Sequence, residues 1–157
     1  MRRHPLPCRH KQMSQRFRYG AAAMRCVKDG VLSIAQFGGP LTHRVLPAFC
    51  LDVPATEAMT GISARVMSYQ STLLTVTGEL MYECICSQID AGRLVVPCAI
   101  VATADTAAAF ETLAELLARH GVIREVFVEL SAAVEWAQKQ AARVQAQAIY
   151  VSRRPSR

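Results

Sequence analysis

Residues 94–145 confine the fold more tightly than any other stretch of this chain. They read LVVPCAIVATADTAAAFETLAELLARHGVIREVFVELSAAVEWAQKQAARVQ. An apolar run from Cys98 to Ala102 passes into an amphipathic helix, Gly121 stops it, and a short strand over 124–128 leads to a second helix. Two strand–helix units in succession with short joints imply a parallel sheet with helices packed on it. The run at Cys98 is apolar on both faces, as suits a buried central parallel strand. Asp105 or Thr106 is placed to cap the first helix, and Phe110, Leu113, Ala114 and Leu117 form its buried stripe. Ser131 is placed to cap the last helix, which buries Val134, Ala137, Ala141 and Val144, with Trp136 at the edge of that face.

Upstream, Met24 to Lys28 reads as a first strand and Val31 to Phe37 as a second. Asp29-Gly30 between them is a strong two-residue hairpin signal. Gly38-Gly39-Pro40 ends the pair. A helix is expected over about 42–51, containing or kinked at Pro47. Ser63 to Tyr69 alternates as a third strand. Leu73, Val76 and Leu80 then recur at helical spacing, so a helix is expected over 71–89, although Thr75, Val76, Thr77 and Gly78 are weak helix formers. The order is ββαβαβαβα, a single α/β sandwich domain with a mixed sheet.

The net charge of +6 is unevenly placed. Residues 1–28 hold eight Lys/Arg and no acid, while 29–152 hold seven against twelve Asp/Glu. Residues 1–23 are therefore expected to be a basic, disordered leader, 24–147 the folded domain and 148–157 a basic tail. Met13 and Met24 offer later starts. A mildly acidic body does not suggest a specific nucleic-acid site. No apolar run is long enough to span a bilayer as a helix, and no signal peptide is evident, so no transmembrane segment and a cytoplasmic location are expected. The six cysteines, Cys8, Cys26, Cys50, Cys84, Cys86 and Cys98, contain no C-x-x-C pair. Cys84 and Cys86 point about 200° apart on a helix, so no metal is expected.

The element order, together with Val126-Phe127-Val128, Glu129-Leu130-Ser131 and Ala133-Val134-Glu135-Trp136, resembles the STAS-type domain of bacterial anti-sigma-factor antagonists. More narrowly it is similar to the divergent STAS-like proteins, over roughly residues 24–145. The resemblance implies a non-enzymatic regulatory or protein-interaction module with no cofactor. In phosphorylatable members an Asp-Ser-Ser-Gly-like loop follows the third strand and opens the second helix. Ser68-Tyr69-Gln70-Ser71-Thr72-Leu73 stands at that place. The resemblance thus implies Ser71 or Thr72, with Ser68 beside them, as phospho-acceptor or partner contact. A helix N-terminus would favour a phosphate there. The acid and the glycine of that loop are absent, and a plain N-cap hydroxyl is the structural alternative.

The remaining chemistry-bearing residues offer less, and no catalytic residue is assigned. His43 and Cys50 would stand two helical turns apart, about 10 Å, too far for a nucleophile–base pair. His120 sits in the last turn of its helix, where it suits free carbonyls. Glu111 and Glu115 read as a solvated face. Gly38-Gly39-Pro40 lacks the Lys-Ser/Thr of a phosphate loop. A second reading is a small-ligand or lipid-binding pocket between sheet and helices, since divergent STAS-like proteins share features with the CRAL-TRIO lipid-transfer fold. An apolar cavity lined by Met59, Met67, Leu73 and Met81 would mark it; a filled core would favour interaction. A protein partner is expected, and a homodimer is left open.

Overall fold

The computed structural model describes residues 14–50, 61–90 and 96–152, the last three as backbone. The chain opens on an antiparallel meander of β1 (Ser14–Tyr19), β2 (Ala22–Asp29) and β3 (Leu32–Leu41). Tyr19 pairs with Ala22, and Asp29 with Leu32, so each joint is a two-residue loop. Gly20 (φ 66°) and Gly30 (φ 58°) take the left-handed conformation that such loops need.

The leader expected over 1–23 is thereby corrected. Residues 14–23 are β1 and the start of β2, while 1–13 lie outside the described residues. The physical reason is alternation. Gln15, Phe17 and Tyr19 are partly buried, whereas Ser14, Arg16 and Arg18 are exposed. Phe17 and Tyr19 pack on the core, and the Tyr19 ring lies 6.0 Å from Phe37 and 6.2 Å from Phe49. The positive charge sits on the solvent side and does not oppose the strand.

β3 then pairs in parallel with β4 (Ala64–Leu74), β4 with β5 (Cys98–Val101) and β5 with β6 (Arg124–Phe127). The sheet order is β1-β2-β3-β4-β5-β6. Helix α1, at residues 46–50, follows β3, and α2 (Gly78–Asp90) and α3 (Ala107–Ala118) follow β4 and β5. Each parallel connection steps one strand in the same direction, so right-handed crossovers all lie on one side. Leu46, Phe49, Met81, Phe110, Leu113 and Leu117 accordingly share one core with Met24, Phe37, Met67 and Tyr69. Helix α4 (Leu130–Ser152) takes the opposite face and packs Ala133, Ala137 and Ala141 on Leu32, Ala64, Val66, Ala99 and Val101.

Several expected boundaries move. Pro47 lies in the first turn of α1, where its missing N–H costs no helical bond, rather than at a kink. β4 runs to Leu74, and α2 begins only at Gly78, where the Leu80 N–H donates to Thr77 Oγ1 at 3.2 Å. The β-branched run before it stays extended because β3 continues alongside, pairing Gly38–Leu41 with Ser71–Leu74. Thr106 stands at the start of α3, but its Oγ1 accepts from the Thr103 N–H (3.0 Å) instead of capping the helix. Ser131 lies inside α4, which starts at Leu130. Of the expected α4 stripe, Ala137 and Ala141 are buried, with Ala133 rather than Val134 continuing the row. Trp136 sits partly exposed at the edge, 5.9 Å from the Phe127 ring. The tail expected from 148 is helical to Ser152, and 153–157 lie outside the described residues.

Gly78 marks a close approach of α2 to α3. A Cβ there would lie 2.4 Å from the Ala109 carbonyl oxygen and 3.0 Å from Thr112 Cβ. In an open helix Gly→Ala stabilises by about 1 kcal/mol. Here Gly78→Ala should lower stability by about 2–3 kcal/mol, because two backbones must part. Urea denaturation reads this, and an unchanged midpoint would show that the helix contact yields freely. Deleting residues 1–22 should remove Phe17 and Tyr19 from the core and cost about 3 kcal/mol or more. A thermal midpoint equal to that of the full chain would restore the leader reading.

Candidate interaction surface

The structure keeps Ser68 on its strand and puts Ser71 and Thr72 inside the same strand, β4, rather than at a helix N-terminus, so the N-cap geometry expected of those two is corrected. The register advances two residues on β3, from Gln36 to Gly38, against three on β4, from Ser68 to Ser71. This bulge separates the environments of the three hydroxyls. Ser68 is 5% exposed, and its Oγ has no hydrogen-bond partner among the described residues. Thr72 Oγ1 donates to the Phe37 carbonyl at 3.0 Å. Ser71 is exposed, and a Cβ at Gly38 would lie 4.0 Å from Ser71 Cβ, which places Ser71 on the α4 side of the sheet.

That side is only partly covered. Helix α4 packs on β3, β4, β5 and β6, and the outward residues Arg16, Arg18, Ala23 and Arg25 of β1 and β2 stay in solvent, with Val27 half-buried. The pairings lay out two rows across this open half. One runs Arg16, Arg25, Gln36, Ser68; the other runs Arg18, Ala23, Gly38, Ser71. Arg16, Arg18, Arg25 and Gln36 are exposed, and the small Ala23 and Gly38 leave the floor low between Arg18 and Ser71. Arg16 stands directly opposite Arg25. Like charges so placed destabilise a sheet by a few tenths of a kcal/mol or more. Among the described residues none of the three arginines takes part in an ion pair. Sequence reasoning missed this cluster because two of its members fell in the supposed leader. The alternation Gln15/Phe17/Tyr19 against Arg16/Arg18 was the signal that could have found it.

Other reactive groups are placed differently. His120 does not serve the carbonyls of its own helix: its Nε2 pairs with the Tyr82 hydroxyl across from α2. The Tyr82 phenol is pushed up, first by its hydrogen bond with Cys86 and then by burial. His43 is exposed, while Cys50 is buried. Burial pushes the Cys50 thiol up, and Cys84 beside it adds to the effect. Cys84 and Cys86 leave α2 in different directions, Cys84 toward the core and Cys86 into a surface groove. Arg65 is 1% exposed on the helix-layer side of β4. Arg124 is held by the Val96 and Ile123 carbonyls, at 2.7 and 3.0 Å. Among the described residues no group of three or more His, Cys, Asp or Glu could hold a metal ion. No described helix is long and apolar enough to cross a membrane. Of the residues expected to line a ligand cavity, Met67 and Met81 are packed in the core at 2% and 3% exposure, and Leu73 stands in solvent at 66%. Met59 lies outside the described residues.

No family model matches the chain, and no curated protein matches it. Among solved structures it is similar to an uncharacterized protein from the DUF3478 family with a SpoIIAA-like fold, from Shewanella loihica PV-4. The two share 13% identity at a TM-score of 0.47, over 74% of this chain and 94% of that one. The chain itself is an α/β domain with a six-stranded mixed sheet.

The three hydroxyls should separate in stability as they do in environment. Ser68→Ala removes an unpartnered buried hydroxyl and should leave stability equal or up to about 1 kcal/mol higher. Thr72→Val should cost about 1 kcal/mol by orphaning its place on the Phe37 carbonyl. Ser71→Ala should move nothing. Denaturant midpoints of the three variants read the order, and equal losses at all three would contradict the placement.

Proposed function

We propose that this chain is a non-enzymatic regulatory module that works by binding a protein partner through the open half of its sheet. The observation that carries the reading is the Arg16–Arg25 pair. Two guanidinium groups face each other across a ladder, with Arg18 beside them, on a face that α4 leaves uncovered. A sheet tolerates such repulsion at a cost to its own stability, and an acidic partner surface relieves it. Arginine suits the task because its planar fork can bind carboxylates in bidentate pairs. Packing of Met67 and Met81 among the core side chains supports this reading over a ligand pocket.

Ser71 gives the surface a point of control. Its hydroxyl is exposed on the arginine side, at the end of the row that starts with Arg18. A phosphate there adds about −1.5 to −2 charge to a positive face and competes with an acidic partner. Ser68, buried, and Thr72, bonded to Phe37, are less accessible to a kinase.

The test is co-purification from native lysate, read by mass spectrometry of bound proteins and by native mass of the complex. Wild type should retain a partner that Arg16→Glu/Arg25→Glu loses and Ser71→Asp holds less well. Equal recovery by all three would remove the surface from the account. A small molecule bound at one-to-one stoichiometry in the native mass, unaffected by these changes, would favour the ligand-binding reading instead.

A further inference from the structure

A surface of the opposite charge lies on the chain itself. Helix α2 carries Glu79, Glu83 and Asp90 and no basic residue. At 3.6 residues per turn these three fall on one stripe, away from the buried Met81, and all three are exposed. Beside the stripe runs a groove of about 430 Å³ with Tyr82, Glu83, Cys86, Asp90 and His120 among its walls. Helix α2 belongs to the layer on the other side of the sheet from the arginines, so one molecule cannot bring the two surfaces together. Two molecules can.

We infer that the arginine face of one copy docks on the α2 groove of a second copy, with a guanidinium group entering between Glu83 and Asp90. This rests on the reading that the arginine face is the binding surface, and it names the partner. Spacing agrees: Arg16 and Arg18 are about 7 Å apart along their strand, and Glu79 and Glu83 about 6 Å apart along their helix. Room agrees as well. Six strands span about 24 Å, and α4 takes about 10–12 Å of that width. One further helix fits over β1, β2 and the Gln36–Gly38 end of β3 that α4 leaves open. The chain's own terminal segments do not suit the place, because 1–13 and 153–157 carry Arg2, Arg3, Arg9, Lys11, Arg153, Arg154 and Arg157 and no acid. The contact joins two different patches, so it continues head to tail from copy to copy. Its ion pairs are solvent-exposed, which makes it weak and salt-sensitive.

Sedimentation velocity across a concentration series, at low and at high salt, tests this with two neutralised variants. One is Arg16→Ser/Arg18→Ser/Arg25→Ser; the other is Glu79→Gln/Glu83→Gln/Asp90→Asn. Circular dichroism checks that each is folded, and the single changes Arg25→Ser and Glu83→Gln replace a triple that is not. The wild-type sedimentation coefficient should rise with concentration at low salt and lose that rise at high salt. Each variant alone should stay monomeric. An equal mixture should form a dimer and stop there, since it offers one intact face of each kind. A wild type that is monomeric throughout overturns the inference, as does a variant that still associates like wild type, or a mixture that fails to pair. If wild type stays monomeric yet captures another protein through its arginines, the binding-face reading stands and only the second copy falls. If the arginines affect neither, both fall.

Discussion

One chain of aromatic contacts joins the two halves of this sheet. Tyr19 on β1 meets Phe37 on β3 and Phe49 on α1; those two meet each other at 5.0 Å and both meet Tyr69 on β4; Tyr69 stacks on Phe110 of α3 at 4.4 Å. The antiparallel meander and the parallel crossovers have different local logic, and this cluster is what makes them one core. Aromatic pairs of this kind add about 0.5–1.5 kcal/mol each beyond the area they bury. Burial also pushes the Tyr69 phenol up, so the ring at the middle of the chain stays neutral. The helix layer is placed by these contacts, and the arginine face follows from them. With Phe17 and Tyr19 turned inward, the alternate residues Arg16 and Arg18 have only the outer side available.

The topology then decides which surfaces remain. A sheet whose parallel strands run in sequence puts its crossover helices on one side and leaves the other to whatever follows the last strand. Among the described residues that is one helix for six strands. The sequential order also lacks the strand reversal at which open parallel sheets form ligand crevices. Two grooves among the described residues lie at element edges, one beside α2 and one between the β2–β3 loop and the middle of α4.

What could be read from the sequence follows the range of the forces involved. The region from β5 to α4 was legible because its period and stops are local: Phe110, Leu113 and Leu117 at helical spacing, Gly121 after them, then the short strand at Arg124. The hairpin was legible from Asp29-Gly30 for the same reason, although the loop itself is Gly30-Val31, one residue on, because Asp29 pairs with Leu32. β1 was hidden by charge, since its arginines weigh on composition while only every second residue meets the core. The start of α2 was hidden by a partner strand. Leu73, Val76 and Leu80 keep helical spacing, yet β3 holds Ser71 to Leu74 extended through pairing thirty-odd positions away. Thus Ser68 was picked out on its own strand, while Ser71 and Thr72 were picked out as residues but assigned to the following helix. The arginine face depends on which strands lie side by side, and no local pattern encodes that.

The alanine row of α4 has a consequence for how the molecule comes apart. Ala133, Ala137 and Ala141 let the helix backbone lie close on the sheet, but each buries little apolar area. The opposite layer is fixed by Phe110, Leu113, Leu117, Phe49 and Met81, each burying several times more. Cohesion is therefore graded across the thickness of the domain, with the weaker seam on the arginine side. Among the described residues only the Phe127–Trp136 contact adds large rings to that seam, and a fluctuation that lifted α4 would uncover Leu32, Val66 and Val101 while leaving the aromatic core shut. The outer face of the sheet would then be larger and more apolar than the one the arginines mark, because the residues under α4 are Leu32, Ala64, Val66, Ala99 and Val101.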